Sequence, residues 1–332
     1  MARVAINGLG RIGRAALKVI SKNPDLDLVA VNDIADPENI AYLIKYDTVY
    51  GRFGEDVSAK DGKLHIDGQS YEFLSERDPA QLPWKKLNID IVIESTGFFT
   101  NMEGASKHVE AGAKYVIISA PTKSEEIPTI VHGVSKEGGD AQIISCASCT
   151  TNSITPVVEV IGRHLGIQKA ILTTIHGYTA SQTIVDAPHK NFRRGRAGAA
   201  NLVPTTTGAA IATTKALPQH AGKFDGVSVR VPVPIGSISD LVFLVEKNTT
   251  EAEVNEILRK EAATERYQEV MRVTDDPIVS SDIVGDPHAA IIDAEMTKVV
   301  DGNLVKIFSW YDNEWGYTNQ MVRRAVSIAK TL

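Results

Sequence analysis

Residues 3–13 read RVAINGLGRIG, a short apolar run that leads into Gly8, Gly10 and Gly13. A helical pattern follows to about Ser21, so the glycines lie where a strand turns into a helix. In that setting the first glycine permits a tight turn, the second lets a ligand approach the backbone, and the third lets helix pack on strand. The stretch predicts a doubly wound parallel sheet that binds the pyrophosphate of a dinucleotide at the helix N-terminus.

A carboxylate follows the next predicted strand, Leu26 to Asn32, at Asp33. This position lies about twenty residues beyond the last glycine, where an acidic residue can accept hydrogen bonds from the adenosine ribose hydroxyls. The same charge would repel a 2′-phosphate, so the spacing indicates NAD rather than NADP. A glycine-rich turn without a ligand is the alternative interpretation.

A second stretch, residues 145–152, reads SCASCTTN and places Cys149 between a strand end and a helical pattern from about Thr151 to Leu165. Unpaired N–H groups and the helix dipole put partial positive charge there, which favours thiolate over thiol. The stretch therefore predicts covalent catalysis through Cys149. A packed structural cysteine is the alternative.

A nucleophilic cysteine needs a base, usually a histidine. Of the eight histidines in the chain, His176 is the best placed, because it ends a predicted strand over Lys169 to Ile175 in the domain that Cys149 opens. A histidine taken alone is more often structural. Hydroxyls, backbone N–H groups and an arginine fork at strand ends or loops could together bind phosphate; the candidates are Thr150, Thr179, Thr207, Gly208 and Arg230.

The order of predicted elements changes in the middle of the chain. The first part alternates strands and helices, with strands over Ile89 to Glu94, Lys114 to Ser119, Thr129 to Val134 and Ala141 to Ser145. Later strands are longer, over Gly226 to Val233, Ser237 to Glu246 and Asn303 to Tyr311, and a long irregular region is expected from Tyr178 to Thr207. We therefore predict an α/β fold with a dinucleotide-binding domain over 1–148 and an α+β catalytic domain, mainly antiparallel, over 149–312. Residues 313–332 are expected to be helical.

Composition excludes several classes of protein. The chain has 332 residues, 43% of them hydrophobic, and a net charge of −6, which argues against nucleic acid as the principal partner. The basic run at 189–196 is interpreted as a solvated or interface loop. Two cysteines are too few for a disulfide framework or a thiolate zinc site, and no apolar run reaches membrane-spanning length. We expect a cytoplasmic protein with no membrane contact and no metal.

These motifs resemble those of phosphorylating glyceraldehyde-3-phosphate dehydrogenase. The resemblance is carried by the N-terminal glycines and by Asn32-Asp33, Ala147 to Asn152, Thr173 to His176, Pro204 to Ala210, Arg230 to Pro232 and Trp310 to Glu314, in order along the whole chain. It implies a Rossmann-type first domain to which the C-terminal helix returns. It also implies a homotetramer, with the region from Tyr178 at an interface.

The resemblance further implies the chemistry. Cys149 would attack the aldehyde of D-glyceraldehyde 3-phosphate, with His176 as acid and base and NAD as cofactor. Inorganic phosphate would then release 1,3-bisphosphoglycerate, a step of glycolysis. The implied dinucleotide contacts are Arg11, Ile12, Asp33, Arg77, Ser119 and Asn313. The implied sites for attacking phosphate are Ser148, Thr150, Thr207 and Gly208, and those for substrate phosphate are Thr179 and Arg230.

Two positions depart from the pattern of many relatives. Ser153 stands where a second cysteine is common, and the chain has Cys146 instead, expected to be a buried bystander, with a disulfide to Cys149 as the alternative. Ser181 stands where an acidic residue is common. Two other functions stay open: an erythrose-4-phosphate dehydrogenase of the same fold, or a binding protein with a vestigial site.

Overall fold

The computed structural model describes residues 1–135 and 141–332. The described residues form two compact units. The first unit comprises Met1–Ile130, 141–147 and Met321–Leu332, and the second comprises Val131–Ser135 and Ser148–Gln320.

The first unit contains a mixed sheet with helices between its strands. Its strands are β1 (Ala2–Asn7), β2 (Leu26–Asn32), β3 (Tyr46–Asp47), β4 (Gly51–Arg52), β5 (Val57–Lys60), β6 (Lys63–Ile66), β7 (Gln69–Leu74), β8 (Ile91–Glu94), β9 (Tyr115–Ile118) and β10 (Ile143–Ser145). Its helices are α1 (Arg11–Ile20), α2 (Pro37–Lys45), α3 (Trp84–Leu87) and α4 (Met102–Glu110), with a 3₁₀ turn at Pro79–Gln81. The main sheet has the order β10-β9-β8-β1-β2-β7-β6-β5 and is parallel from β10 to β7.

The strand order of this sheet explains where a ligand can bind. Strand β1 lies between β2 on one side and β8 on the other. The order in which the parallel strands are added to the sheet therefore reverses at β1. Ligands of such sheets bind beyond the carboxyl ends of the strands at this reversal. The strand ends there are Asn7, Asn32 and Glu94.

The second unit is built on a larger, mainly antiparallel sheet. Its strands are β11 (Ile167–Gly177), β12 (Val203–Thr206), β13 (Phe224–Val231), β14 (Ser237–Val245), β15 (Met271–Thr274), β16 (Ala290–Val300) and β17 (Leu304–Tyr311), in the order β12-β13-β11-β14-β17-β16-β15. Its helices are α5 (Cys149–Leu165), α6 (Ala209–Ala216), α7 (Glu251–Ala262) and α8 (Trp315–Ala329), the last continuing into the first unit, with 3₁₀ turns at Phe192–Gly195, Gly198–Ala200 and Pro218–His220. Only β11 with β13 and β15 with β16 pair in parallel among the described strands of this sheet.

Helix α5 lies in the core of the second unit. Its apolar residues Ile154, Val157, Val158 and Ile161 are buried in one cluster with Leu241 of β14. A helix whose sides are nearly all covered cannot shift easily, so its first turn is held firmly. Within residues 1–135 and 141–332, no helix combines the length and the apolar character that a membrane span requires.

The predicted fold class is confirmed, and most predicted strands occur within a few residues of their expected bounds. The strand predicted over Thr129 to Val134 is wrong. Thr129 forms only an isolated bridge to Ser145, and Gly133 has a φ of +75°, which turns the chain. Strand β16 was not predicted, because Asp293, Glu295 and Lys298 interrupt its apolar pattern.

Candidate active site

A cavity of about 520 Å³ lies at the strand ends of the first unit. Four residues predicted from the sequence to bind a dinucleotide line it: Gly8, Gly10, Asp33 and Arg77. A cavity of this size is ordinary for a small-molecule site.

The glycines meet the steric needs that the sequence predicted. A Cβ on Gly8, whose φ is +93°, would lie 2.7 Å from the backbone nitrogen of Thr96. A Cβ on Gly13 would collide with the carbonyl oxygen of Gly8. Gly10 faces open space and is the N-cap of α1. The chain therefore leaves a backbone-lined space at a helix N-terminus, which fits the pyrophosphate of a dinucleotide.

Asp33 is fixed beside this glycine turn. Its Oδ2 accepts a hydrogen bond of 2.6 Å from the N–H of Leu9, and its Oδ1 accepts one of 2.9 Å from the N–H of Ala35. The neighbouring Ile34 is exposed and apolar. The carboxylate thus faces the cavity with no basic partner in these contacts, the arrangement that disfavours a 2′-phosphate.

Four further residues that the resemblance implies as dinucleotide contacts do not line the cavity. Arg11 and Ile12 form the first turn of α1, and the Arg11 guanidinium lies 2.5 Å from Asp47. Ser119 follows β9, with its N–H donating to the carbonyl of Glu94 at 2.9 Å. None of these three is among the described residues that line the cavity. Asn313 belongs to the second unit.

Cys149 is the first residue of α5, as the sequence predicted. Ser148 caps the helix by accepting a 3.1 Å hydrogen bond from the N–H of Thr151. The turn into the helix contains Ala147 at a φ of +57°, a conformation that costs energy for a residue with a Cβ. This sharp turn presents the sulfur at the helix N-terminus.

The Cys149 Sγ lies 3.4 Å from Nε2 of His176, which stands near the end of β11. Sulfur and ring nitrogen are therefore within hydrogen-bonding distance, as proton transfer between nucleophile and base requires. The Nδ1 of the same ring lies 2.7 Å from the carbonyl oxygen of Gly177. In the tautomer that carries its proton on Nδ1, this carbonyl accepts the hydrogen bond and Nε2 can accept the thiol proton. The guanidinium of Arg230 can only donate and also contacts Nδ1, so it competes with this tautomer.

Arg230 stands beside the histidine, because β13 and β11 pair with His176 opposite Arg230. Its Nη1 lies 2.5 Å from Nδ1 of His176 and 3.1 Å from the Gly177 oxygen. Its Nε is buried and has no hydrogen-bond partner among the described residues. A buried, unpaired guanidinium N–H is costly and fits an anion that would accept it.

The pKa values of this pair differ from the sequence-based expectation. Desolvation raises the pKa of the Cys149 thiol, although Arg230 and Thr150 act in the opposite direction. Desolvation, and then the charge of Arg230, lower the pKa of His176 to about 3. Desolvation therefore acts against the shift toward thiolate that the helix N-terminus was expected to produce. A neutral imidazole at His176 can accept the thiol proton when sulfur attacks.

The predicted phosphate-binding residues lie on several elements of the second unit. The Thr150 hydroxyl lies 2.9 Å from Oη of Tyr311, and the same Oη lies 2.8 Å from the Thr174 hydroxyl. Thr207 accepts a 3.2 Å hydrogen bond from the N–H of Ala209, and Gly208 is the N-cap of α6 with open space around it. Helices α5 and α6 are joined through the hydroxyls of Thr155 and Thr213 at 3.0 Å.

Two further predicted residues are held in place by hydrogen bonds. The Thr179 hydroxyl lies 2.9 Å from that of Ser181, so the residue that departs from the pattern of many relatives contacts a predicted substrate-phosphate residue. Asn313 uses its Oδ1 to accept from the N–H of Gly236 and the hydroxyl of Ser237, both at 3.1 Å. These bonds fix the orientation of the Asn313 amide.

Sequence reasoning missed the polar residues beneath these sites. Tyr311 is buried, its pKa is raised to about 12 by desolvation, and it links Thr150 to Thr174. Glu94 is buried at the end of β8, whose other residues are all apolar. The single carboxyl group in this apolar strand could have indicated a buried polar network, because a buried carboxylate needs hydrogen-bond partners.

The fold and the sites define a class of protein. The first unit has a glycine-lined cavity at the switch point of a doubly wound sheet, and the second has a thiol within hydrogen-bonding distance of a histidine. These two features are typical of an NAD-dependent oxidoreductase that works through a covalent intermediate.

Comparisons with known proteins identify the family. Residues 148–313 match the model of the glyceraldehyde 3-phosphate dehydrogenase C-terminal domain, and residues 2–102 match the model of its NAD binding domain. The chain is 50% identical to glyceraldehyde-3-phosphate dehydrogenase 2 of Streptomyces avermitilis over 99% of both chains. It is 51% identical to the Thermotoga maritima enzyme over 97% of both, and 47% identical to that of Geobacillus stearothermophilus over 98% of both. The chain belongs to the glyceraldehyde 3-phosphate dehydrogenase family.

Proposed function

We propose that this protein oxidises D-glyceraldehyde 3-phosphate with NAD and inorganic phosphate to 1,3-bisphosphoglycerate, a reaction of glycolysis. The observation that supports it most strongly is the 3.4 Å separation between Cys149 Sγ and His176 Nε2 at the start of α5. The names of the curated relatives state glyceraldehyde 3-phosphate as their substrate, which supports the same substrate for this protein.

The first step forms a bond between the Cys149 sulfur and the aldehyde carbon. Nε2 of His176 accepts the thiol proton as the sulfur attacks and passes the same proton to the aldehyde oxygen, which gives a thiohemiacetal and returns the imidazole to its neutral state. The neutral state of the histidine suits this role, because an imidazolium could not take the proton. The carbonyl of Gly177 supports the charge that develops on the ring.

The second step oxidises this thiohemiacetal to a thioester on Cys149. NAD, when bound, supplies the hydride acceptor. His176 takes the hydroxyl proton as the carbonyl forms. Inorganic phosphate then attacks the thioester carbon, the carbon–sulfur bond breaks, and the acyl phosphate leaves as Cys149 regains its thiol.

Two phosphate groups must be held during these steps. For the substrate phosphate we propose Thr179 and Arg230, because the unpaired Nε of Arg230 offers a donor to an anion. For the attacking phosphate we propose Ser148, Thr150, Thr207 and Gly208, which stand at the N-terminal ends of α5 and α6. Helix N-termini favour anions. An anion on Arg230 would also offset the positive charge that disfavours an imidazolium at His176.

The cavity and the glycine turn support Gly8, Gly10, Gly13, Asp33 and Arg77 as residues that hold NAD. The other proposed NAD contacts rest on the resemblance of the sequence motifs to those of the family. They are Arg11, Ile12, Ser119 and Asn313, with Asn313 proposed to hold the carboxamide. Asp33 sets the preference for NAD over NADP. We further propose a dinucleotide-binding domain over 1–148, to which 313–332 returns, and a catalytic domain over 149–312.

We also propose a cytoplasmic homotetramer. Large apolar side chains project from the region that follows Tyr178; Ile184 and Phe192 are each 89% exposed, and Leu202 is 69% exposed. Exposed apolar residues in such numbers mark an interface. Sedimentation of the purified protein measures the oligomeric state, and a monomer would contradict the tetramer.

One assay tests the function: NADH formation from D-glyceraldehyde 3-phosphate, NAD and phosphate, compared with erythrose 4-phosphate under the same conditions. Faster turnover of the glyceraldehyde substrate, with a requirement for phosphate, is expected. Preference for erythrose 4-phosphate would replace the proposal with the alternative enzyme. No turnover of either sugar would indicate a vestigial site.

A further inference from the structure

A buried polar network lies beneath the dinucleotide cavity, and it centres on Glu94. The side chains of Glu94 and His108 are 1% and 0% exposed. Asn7 Nδ2 donates to Glu94 Oε2 at 2.6 Å, and His108 Nε2 lies 3.0 Å from the same oxygen. The other oxygen, Oε1, accepts from the N–H of Thr96 at 2.8 Å and from its hydroxyl at 2.5 Å.

The tautomer of His108 is fixed from its other side. Trp84 Nε1 donates to His108 Nδ1 at 3.0 Å, and an indole nitrogen can only donate. Nδ1 is therefore an acceptor, and the ring proton sits on Nε2, where it is donated to Glu94. All four groups that contact the Glu94 carboxylate can donate to it, so both of its buried oxygens are hydrogen-bonded.

The network joins the carboxyl ends of three neighbouring strands. Asn7 ends β1 and Glu94 ends β8; Asn32, at the end of β2, donates to Asn7 Oδ1 at 2.7 Å. Asn32 in turn accepts from the N–H of Glu76 at 2.8 Å. Asn7, Asn32, Glu76 and Thr96 all line the cavity. One buried carboxyl group therefore connects three of the loops that form the dinucleotide pocket.

We propose that Glu94 and His108 are positioning residues for the dinucleotide, an inference that rests on the proposed use of NAD. They do not touch the ligand. They hold Thr96 and Asn7, and through Asn7 the glycine turn that starts at Gly8, in the binding arrangement before NAD arrives. Preorganisation of this kind raises affinity because less ordering is required on binding.

The network is sensitive to a single substitution. In Glu94→Gln one acceptor oxygen becomes an NH₂ group that faces donors from Asn7 and His108 or from Thr96. At least one buried donor then loses its acceptor. Of the three residues whose donors face this group, Asn7 and Thr96 line the cavity, so their movement would change the shape of the pocket.

The experiment measures the Kd for NAD by calorimetry, without any aldehyde, and separately the KM for NAD and the kcat. For Glu94→Gln we expect Kd and KM for NAD to rise about tenfold or more, the usual cost of an unsatisfied buried donor. The kcat at saturating NAD should stay within about twofold, since the interaction lost is one of binding alone. An unchanged Kd in a folded Glu94→Gln protein would overturn the proposal.

Glu159→Gln is the matched control. Glu159 is a largely buried carboxylate of the second unit that accepts from Tyr267 Oη at 2.7 Å and from Arg163 Nε at 2.9 Å. Its loss should lower Tm but leave the Kd for NAD unchanged. An equal rise in the Kd for NAD in this control would show that loss of stability explains the Glu94→Gln result. That outcome would contradict the proposal that Glu94 positions the dinucleotide pocket.

A pair of variants at His108 gives a second test if Glu94→Gln does not fold. The side-chain amide of His108→Gln can still donate to Glu94, whereas His108→Leu cannot. We expect the Kd for NAD to be largely restored in His108→Gln relative to His108→Leu. Equal Kd values for these two variants and the parent would overturn the proposal.

The test separates this inference from the proposed function. A parent protein that binds NAD but does not oxidise glyceraldehyde 3-phosphate refutes the function and leaves the network testable by Kd. A parent protein that binds no NAD refutes both.

Discussion

The dinucleotide pocket and the thiol site differ in how their buried polar groups are satisfied. In the pocket, the Glu94 carboxylate receives four hydrogen bonds. At the thiol site, Arg230 Nε has no hydrogen-bond partner in the part of the chain that the structure describes, and burial raises the pKa of Cys149 while it lowers that of His176. A satisfied network gives a rigid surface that binds, whereas unsatisfied and perturbed groups are the ones that react. Variants of the pocket should therefore change affinities, and variants of Cys149 and His176 should change rates.

The sharpest way to break this comparison is Cys149→Ser. A serine hydroxyl is hardly ionised at neutral pH, so turnover should fall on the order of 10⁶-fold, the rate loss that removal of a covalent nucleophile can cause. Calorimetry should find the Kd for NAD nearly unchanged, because the cavity residues of the first unit are intact. Appreciable dehydrogenase activity in this variant would refute the covalent mechanism.

His176→Asn should slow aldehyde oxidation by roughly 10²–10⁴-fold, the usual size of a general acid–base contribution. The pH dependence follows from the pKa shifts. The pKa of His176 is lowered to about 3, so its protonation does not remove the base as pH falls from 8 to about 5. The pKa of Cys149 is raised, so thiolate is gained only as pH rises above the ordinary thiol range.

The rate of alkylation of the parent protein by iodoacetamide measures the ionisation of the Cys149 thiol directly. The rate should keep rising with pH beyond about 8.5, the pKa of an ordinary thiol, and His176→Asn should move the curve to still higher pH. A plateau at neutral pH in the parent would mean that the resting pair is thiolate and imidazolium. An unchanged curve in the variant would mean that His176 does not affect the thiol.

Asp33→Ala should change cofactor choice, and it should also weaken NAD binding because the carboxylate accepts from the N–H of Leu9 in the glycine turn. Two like charges near a protein surface repel by roughly 1–4 kcal/mol, so removing the carboxylate should narrow the ratio of kcat/KM for NAD over NADP about tenfold or more. Asp33→Asn is the control, because it keeps an oxygen that can accept from the N–H of Leu9 without the charge. If the parent already used both cofactors equally, charge repulsion at Asp33 would be refuted.

Cys146→Ser should have the smallest effect, a change in turnover of less than about twofold, as for a substitution outside the reacting groups. Cys146 is 3% exposed, and burial raises its pKa to about 12, so it should react poorly. Peroxide should oxidise Cys149 first, as read by mass spectrometry of the two residues. A dithiol-recoverable disulfide between them in the parent would overturn the bystander interpretation.

The two sites also differ in how far the sequence could predict them. The glycine turn is set by local backbone geometry, so the spacing of Gly8, Gly10 and Gly13 was enough to predict it. The pairing of Cys149 with His176 was predicted from strand ends, although the two residues lie 27 positions apart along the chain. Arg230, which contacts His176, lies 54 positions from it. The direction of the Cys149 pKa shift could not be predicted, because burial depends on packing by the whole unit.

Buried networks were the hardest to predict. The sequence around Trp84 and His108 does not indicate that α3 and α4 place these two side chains in one network with Glu94. The irregular region from Tyr178 was expected correctly in outline, but its end at Val203–Thr206 is a strand, because it pairs with β13. Such pairings are non-local, and sequence pattern carries little information about them.

The central claim is that Cys149 carries the acyl group. The most direct measurement mixes the protein with glyceraldehyde 3-phosphate and NAD in the absence of phosphate, and follows NADH and the intact protein mass together. The account predicts a burst of NADH no larger than one equivalent per Cys149, with the acyl group on the peptide that contains this residue, and discharge when phosphate is added. Steady NADH formation without phosphate and without a labelled Cys149, or an acyl group on another residue, would contradict it.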